Sequence, residues 1–170
     1  MNNVLGAISD KVDAAAQWIN TAPPGRADRA AGLFFGGGSG IIIAIAMYLT
    51  PDPHGFGTHR QLGLGACTML QVTGWPCPMC GMTTTFALLA HGRPLDALVN
   101  QPFGPVLFAL TCVAAVLGWA DAFAGRDMVG RSLGWLRPRE ARVAWGLLAG
   151  MLVGWVYKAA VMHPETWGGH

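Results

Sequence analysis

The sequence predicts an all-α integral membrane protein with three transmembrane helices, a broken re-entrant or interfacial helical hairpin, and an N-terminal amphipathic helix. Two observations predict it. Only 12% of the 170 residues are charged, 52% are apolar, and mean hydropathy is +0.39. Soluble chains are about one-quarter charged, because a water-facing surface requires it. The few charges are also clustered, which leaves long uncharged runs between them. This excludes a soluble enzyme domain. A dispersed net charge of +2 excludes a nucleic-acid-binding surface.

A single membrane domain over residues 1–170 accounts for every segment. In residues 1–25, Val4, Ile8, Val12, Ala15, Trp18 and Ile19 fall near one helical face, with Asp10, Lys11 and Asp13 mostly elsewhere. That pattern reads as an amphipathic helix on the membrane surface or against a partner subunit, closed by Thr21-Ala22-Pro23-Pro24-Gly25. The Met-Asn-Asn start lacks a basic leader region and Asp10 and Asp13 follow it, so no cleaved signal peptide is expected.

The first span is assigned to residues 30–51, 22 uncharged residues that include Ile41-Ile42-Ile43 and suffice to cross a hydrocarbon core of roughly 30 Å. The second is 102–120, within the 24 residues between Asp96 and Asp121, with Pro102 and Pro105 suited to a first helical turn. The third is 142–162, with Lys158 expected to snorkel toward the interface. Between the first two lies 61–92, uncharged up to Gly92 and interrupted by Gly63, Gly65, Gly74, Pro76, Pro78 and Gly81. A straight helix through it is disfavoured. Two short helices, about 62–72 and 82–91, hinged at Gly74-Trp75-Pro76-Cys77-Pro78, fit instead.

Lysine and arginine set the orientation. With three spans and the N-terminus inside, Lys11, Arg26, Arg29 and the five arginines from Arg126 to Arg142 are cytoplasmic, while Arg60, Arg93 and Lys158 are outside. A fourth span at 62–90 destroys this bias. The expected location is a bacterial cytoplasmic membrane, with the C-terminus and the hinge on the extracytoplasmic side.

Glycines recur every fourth residue at Gly32, Gly36 and Gly40 and again at Gly146, Gly150 and Gly154. Such ladders flatten a helix face so that another backbone can approach. They pack on each other, fill a tight bundle, or receive other membrane subunits.

Chemistry is confined to Cys77-Pro78-Met79-Cys80-Gly81. A Cys-x-x-Cys bend is half of a zinc or iron site, a redox dithiol, or a structural turn, and the structural reading leads. Metal binding at Cys77 and Cys80 needs further ligands, for which His54, His59 and His91 are the candidates; Cys67 lies ten residues upstream. No cation adjoins the bend in sequence. Thr83, Thr84 and Thr85 follow it and are placed to cap the next helix.

At Trp75-Pro76-Cys77-Pro78-Met79-Cys80-Gly81-Met82-Thr83-Thr84-Thr85-Phe86, His91-Gly92-Arg93-Pro94 and Gln101-Pro102-Phe103-Gly104, the chain resembles the small bacterial membrane proteins called domain of unknown function 2752. Many members carry Arg where this chain has Thr84. The resemblance implies a membrane protein and no particular activity. The expected function is a non-catalytic accessory or scaffold subunit of a larger membrane complex, such as an electron-transfer complex. It would contact other membrane subunits through the glycine ladders and the N-terminal helix, and lipids elsewhere. The alternative is a metal-binding or thiol-redox protein centred on Cys77 and Cys80.

Overall fold

The computed structural model describes residues 25–124 and 128–163, so the expected N-terminal amphipathic helix lies outside the described residues. The described residues are helical with no strands. Helix α1 spans Arg26–Tyr48, a 3-10 turn Thr58–Leu62, α2 Thr68–Thr73, α3 Met82–Ala90, α4 Pro94–Asn100, α5 Gly104–Ala124, α6 Met128–Leu136, and α7 Glu140–Met162 after a 3-10 turn at Arg137–Arg139. Three stretches are long and apolar enough to cross a bilayer: Arg29–Tyr48, Gly104–Ala124 and Met128–Met162. The described residues thus form an all-helical protein with three candidate membrane spans.

Helices α1 and α5 form the tightest pair. A Cβ added at Gly32 would sit 2.6 Å from Gly118 O and Ala122 N, and one at Gly36 2.8 Å from Trp119 N. Both positions must therefore lack a side chain for the two backbones to meet. The first ladder thus packs on Gly118, a single glycine in the second span, and not on the ladder of the last span. Gly40 completes the strip more loosely, 3.5 Å from the Trp119 indole nitrogen. The second ladder meets the connection between α4 and α5: Gly150 abuts the Phe103 ring and Gly154 the Gln101 amide, while Gly146 has nothing within 4 Å.

The arginine-rich segment between the second and third spans holds helix α6. Asp121, buried near the end of α5, accepts hydrogen bonds from the backbone N–H groups of Met128 (2.6 Å) and Val129 (2.7 Å). It thereby satisfies donors that the first turn of α6 leaves unpaired. The first half of the hairpin is shorter than expected. Gly63 takes a left-handed φ of 75° at the end of the 3-10 turn, and helix resumes only at Thr68.

Residues 49–103 hold no helix long and apolar enough to cross a membrane, and they pack against the spans. They form a cap where α1 ends and α5 begins, and α7 returns to that same cap. There Trp155 Nε1 donates to Pro76 O (2.8 Å), Tyr157 OH to Val99 O (2.7 Å) and His163 Nε2 to Gly74 O (2.7 Å). Lys158 does not snorkel. It is 3% exposed, and its ammonium donates to Asn100 Oδ1 (2.7 Å), Gly55 O (3.1 Å) and Asn100 O (3.3 Å). An ammonium has three donors and no acceptor, so these oxygens satisfy it fully.

Candidate functional site

The Cys-x-x-Cys bend is two overlapping turns, with Cys80 N donating to Cys77 O (2.9 Å) and Met82 N to Met79 O (3.1 Å). Gly81 closes it at φ 83° and opens α3. A side chain there would be strained by that φ and would meet Gly55 O at 2.7 Å. The carbonyl of Gly81 accepts three hydrogen bonds, from Thr85 N (2.8 Å), Thr85 Oγ1 (3.0 Å) and Asn100 Nδ2 (3.1 Å). Asn100 Nδ2 also donates to Thr85 Oγ1 (2.9 Å) while its Oδ1 receives Lys158. The bend is therefore held through Asn100 by a cation from the last span.

The threonines pin the bend instead of capping α3. Thr85 bonds back to Gly81 O, and Thr84 Oγ1 shares a buried 2.7 Å hydrogen bond with Thr58 Oγ1, which accepts in turn from Asp52 N (3.0 Å). That chain of bonds draws the 3-10 turn against α3. Between the turn, α2 and the bend lies a cavity of about 480 Å³ whose walls include Cys67, Cys77, Cys80, His54 and His59.

All three of those cysteines are free thiols, and their surroundings differ. The backbone N–H of Leu70 holds the Cys67 thiol below its ordinary value, and contact with Cys77 acts in the same direction. Burial pushes Cys77 up, reinforced by contact with Cys67. Cys80 is buried, and that burial pushes it up to about 11 although nearby Lys158 pulls the other way. Cys67 and Cys77 thus line one cavity near enough to influence each other's ionisation, and Cys80 is the most buried of the three.

The proposed ligands divide. Cys77, Cys80, His54 and His59 share the cavity, whereas His91 lies at the far end of α3 with Nδ1 donating to Ala87 O (2.8 Å). Each imidazole on the cavity also has a local partner. His54 Nδ1 pairs with Asp52 Oδ1 (3.0 Å) and His59 Nε2 donates to Gly65 O (3.1 Å). Among the described residues no three His, Cys, Asp or Glu side chains form a group placed to hold a metal ion. The zinc or iron set is therefore not assembled. Sequence reasoning missed Cys67 as the partner of Cys77, and it missed Asn100 and Lys158. Only the latter two carried a signal: an amide just before a Gln-Pro step and a cation inside an apolar run.

A family model described as "Protein of unknown function (DUF2752)" matches residues 67–115, a stretch that contains the three cavity cysteines and Asn100. Comparisons with curated proteins and with solved structures returned no match.

Proposed function

We propose, from the premise that this chain belongs through residues 67–115 to the DUF2752 family, that it is a membrane thiol protein whose Cys67 and Cys77 cycle between dithiol and disulfide. The observation that carries this reading is that both thiols line one cavity, near enough for each to shift the other's ionisation. Closing the bond breaks two S–H bonds, forms one S–S bond, and releases two electrons and two protons. Cys67 is the entry thiol, because a thiolate is the attacking species and its thiol is held low; Cys77 then resolves.

Orientation supports the reading. Arg29, Arg131, Arg137, Arg139 and Arg142 gather at the end of the spans opposite the cavity, while Arg60 and Arg93 lie at the cavity end. By the positive-inside rule the thiols face outward from a bacterial cytoplasmic membrane, toward a compartment in which disulfides persist.

Treatment of the reduced protein with diamide, followed by non-reducing peptide mapping, tests the assignment. A Cys67–Cys77 bridge is expected. A Cys77–Cys80 bridge, no bridge, or one equivalent of zinc or iron per chain lost in Cys80→Ser would each overturn it.

A second reading, an accessory subunit of a larger membrane complex, is favoured by the outer face of α7, where Gly146 meets nothing and Trp145 is exposed. Mild-detergent isolation of Gly146→Leu tests it: a lost co-purifying membrane subunit supports the reading, and an unchanged set refutes it.

A further inference from the structure

The thiol cavity is built for a small molecule more than for a protein chain. Its volume of about 480 Å³ falls within the roughly 300–1,000 Å³ of ligand pockets. Cys77 and Cys80 line it from within and do not project from a convex surface. Its walls are mixed, with Phe56, Leu70 and Met79 as apolar surface and Arg60 and Thr83 as donors.

The elements around the cavity carry a second signal. Leu62, Leu64, Met69, Val72, Trp75 and Met79 all expose large apolar side chains, Val72 to 78%. They sit on the 3-10 turn, on α2, on the bend and on the short connections between them, outside the three spans. So many exposed large apolar side chains on one cap are ill suited to water, so the cap sinks into the membrane interface. Molecules dissolved in the bilayer then reach the cavity by the same route.

Resting on the dithiol reading above, the geometry points to a membrane quinone as the molecule that enters this cavity and accepts the electrons of Cys67 and Cys77. The ring lies against the apolar wall, and its carbonyl oxygens take hydrogen bonds from Arg60 and Thr83. The Cys67 thiolate adds to the ring, whose π electrons move onto a carbonyl oxygen that takes up a proton. The Cys77 thiolate then attacks Cys67 Sγ. The S–S bond forms as the C–S bond breaks, and that electron pair stays with the ring, which becomes hydroquinone on taking up the second proton. Two thiols are oxidised to one disulfide, one quinone is reduced to one hydroquinone, and protons balance.

The test uses the full chain, reduced and freed of reductant, in lipid nanodiscs without oxygen, and a fully substituted benzoquinone with a decyl tail. Loss of quinone absorbance is followed alongside diamide oxidation of the same samples. The result expected is one quinone reduced per chain, none in Cys67→Ser or Cys77→Ser, and full reduction in Cys112→Ser. Leu70→Trp, which fills the cavity, should lose quinone reduction while diamide still closes the Cys67–Cys77 bond. Diamide closure in wild type without quinone reduction would overturn the quinone assignment and leave the dithiol reading standing. Failure of both reactions would overturn both, and undiminished quinone reduction in Leu70→Trp would remove the cavity from the account.

Discussion

Replacing Gly118 by alanine puts a methyl group where α1 and α5 meet backbone to backbone. That Cβ would lie 2.6 Å from Gly36 Cα and 2.9 Å from Gly32 O, with Gly36 N closer still. Because the obstacles are backbone atoms of a helix, no rotamer change relieves the overlap, and the helices must part by about 1 Å. A gap of that size forfeits a quarter to a half of each dispersion contact along the seam. Overpacking of this kind costs about 1–3 kcal/mol, and exchanging glycine for alanine inside a helix returns about 1 kcal/mol. The expected net is a destabilisation of up to about 2 kcal/mol, and of about 1–3 kcal/mol relative to a glycine-to-alanine exchange that meets no obstacle. Gly146→Ala is the matched control, since its Cβ meets nothing within 4 Å; it should be neutral or stabilising by up to about 1 kcal/mol. Unfolding in bicelles, read as a midpoint for each variant, gives the comparison. Equal effects of the two substitutions would refute the close-approach argument.

Three further outcomes are expected. Alkylation by iodoacetamide, followed by mass spectrometry across pH, should label Cys67 at lower pH than Cys77: the thiolate is the reacting form, the Leu70 N–H favours it at Cys67, and burial disfavours it at Cys77. The reverse order would contradict those environments. Lys158→Met leaves Gly55 O, Asn100 O and Asn100 Oδ1 without their common donor, at a local cost of about 1–3 kcal/mol; trypsin should then cut faster after Arg60, and an unchanged rate would show that the cap does not depend on the ammonium. A tag after His170 should be reachable from outside the cell and a tag within residues 125–139 should not; the opposite pattern would invert the proposed orientation.

The spans were legible because lipid leaves so little freedom: a long run without charge has few other fates, and α1, α5 and α7 lie where the charge gaps placed them. The hinge was legible for a related reason, since Gly74 and Gly81 adopt the left-handed φ that favours their residue type. What pairs with what was not. Gly118 looks like any glycine in an apolar helix, and only the backbone of α1 arriving from 80 residues away makes it a contact. Lys158 was misread because a cation near a helix end ordinarily reaches for water, and the carbonyls that hold it inside belong to a loop and to the end of α4, far apart in sequence. Helix α6 was overlooked through attention to its arginines, although Met128, Val129, Leu133 and Leu136 mark an apolar stripe at helical spacing. Cys67 reaches the cavity that Cys77 lines only through the fold of the segment between them, and nothing local in the sequence announces it.

The clamp supplied by the last span has a consequence for biogenesis. Trp155, Lys158 and His163 are the residues that fasten Pro76, Gly55 and Gly74, and a ribosome makes them some 80 residues after the bend. Until α7 inserts, the nascent chain has a cap without its keystone and no fixed geometry to choose among the pairings of its three cysteines. Partner selection among the thiols is thus a late event, completed when the C-terminal helix docks. In the proposed orientation, a chain that stalls before Lys158 would meet an oxidising compartment with its sulfurs unsorted.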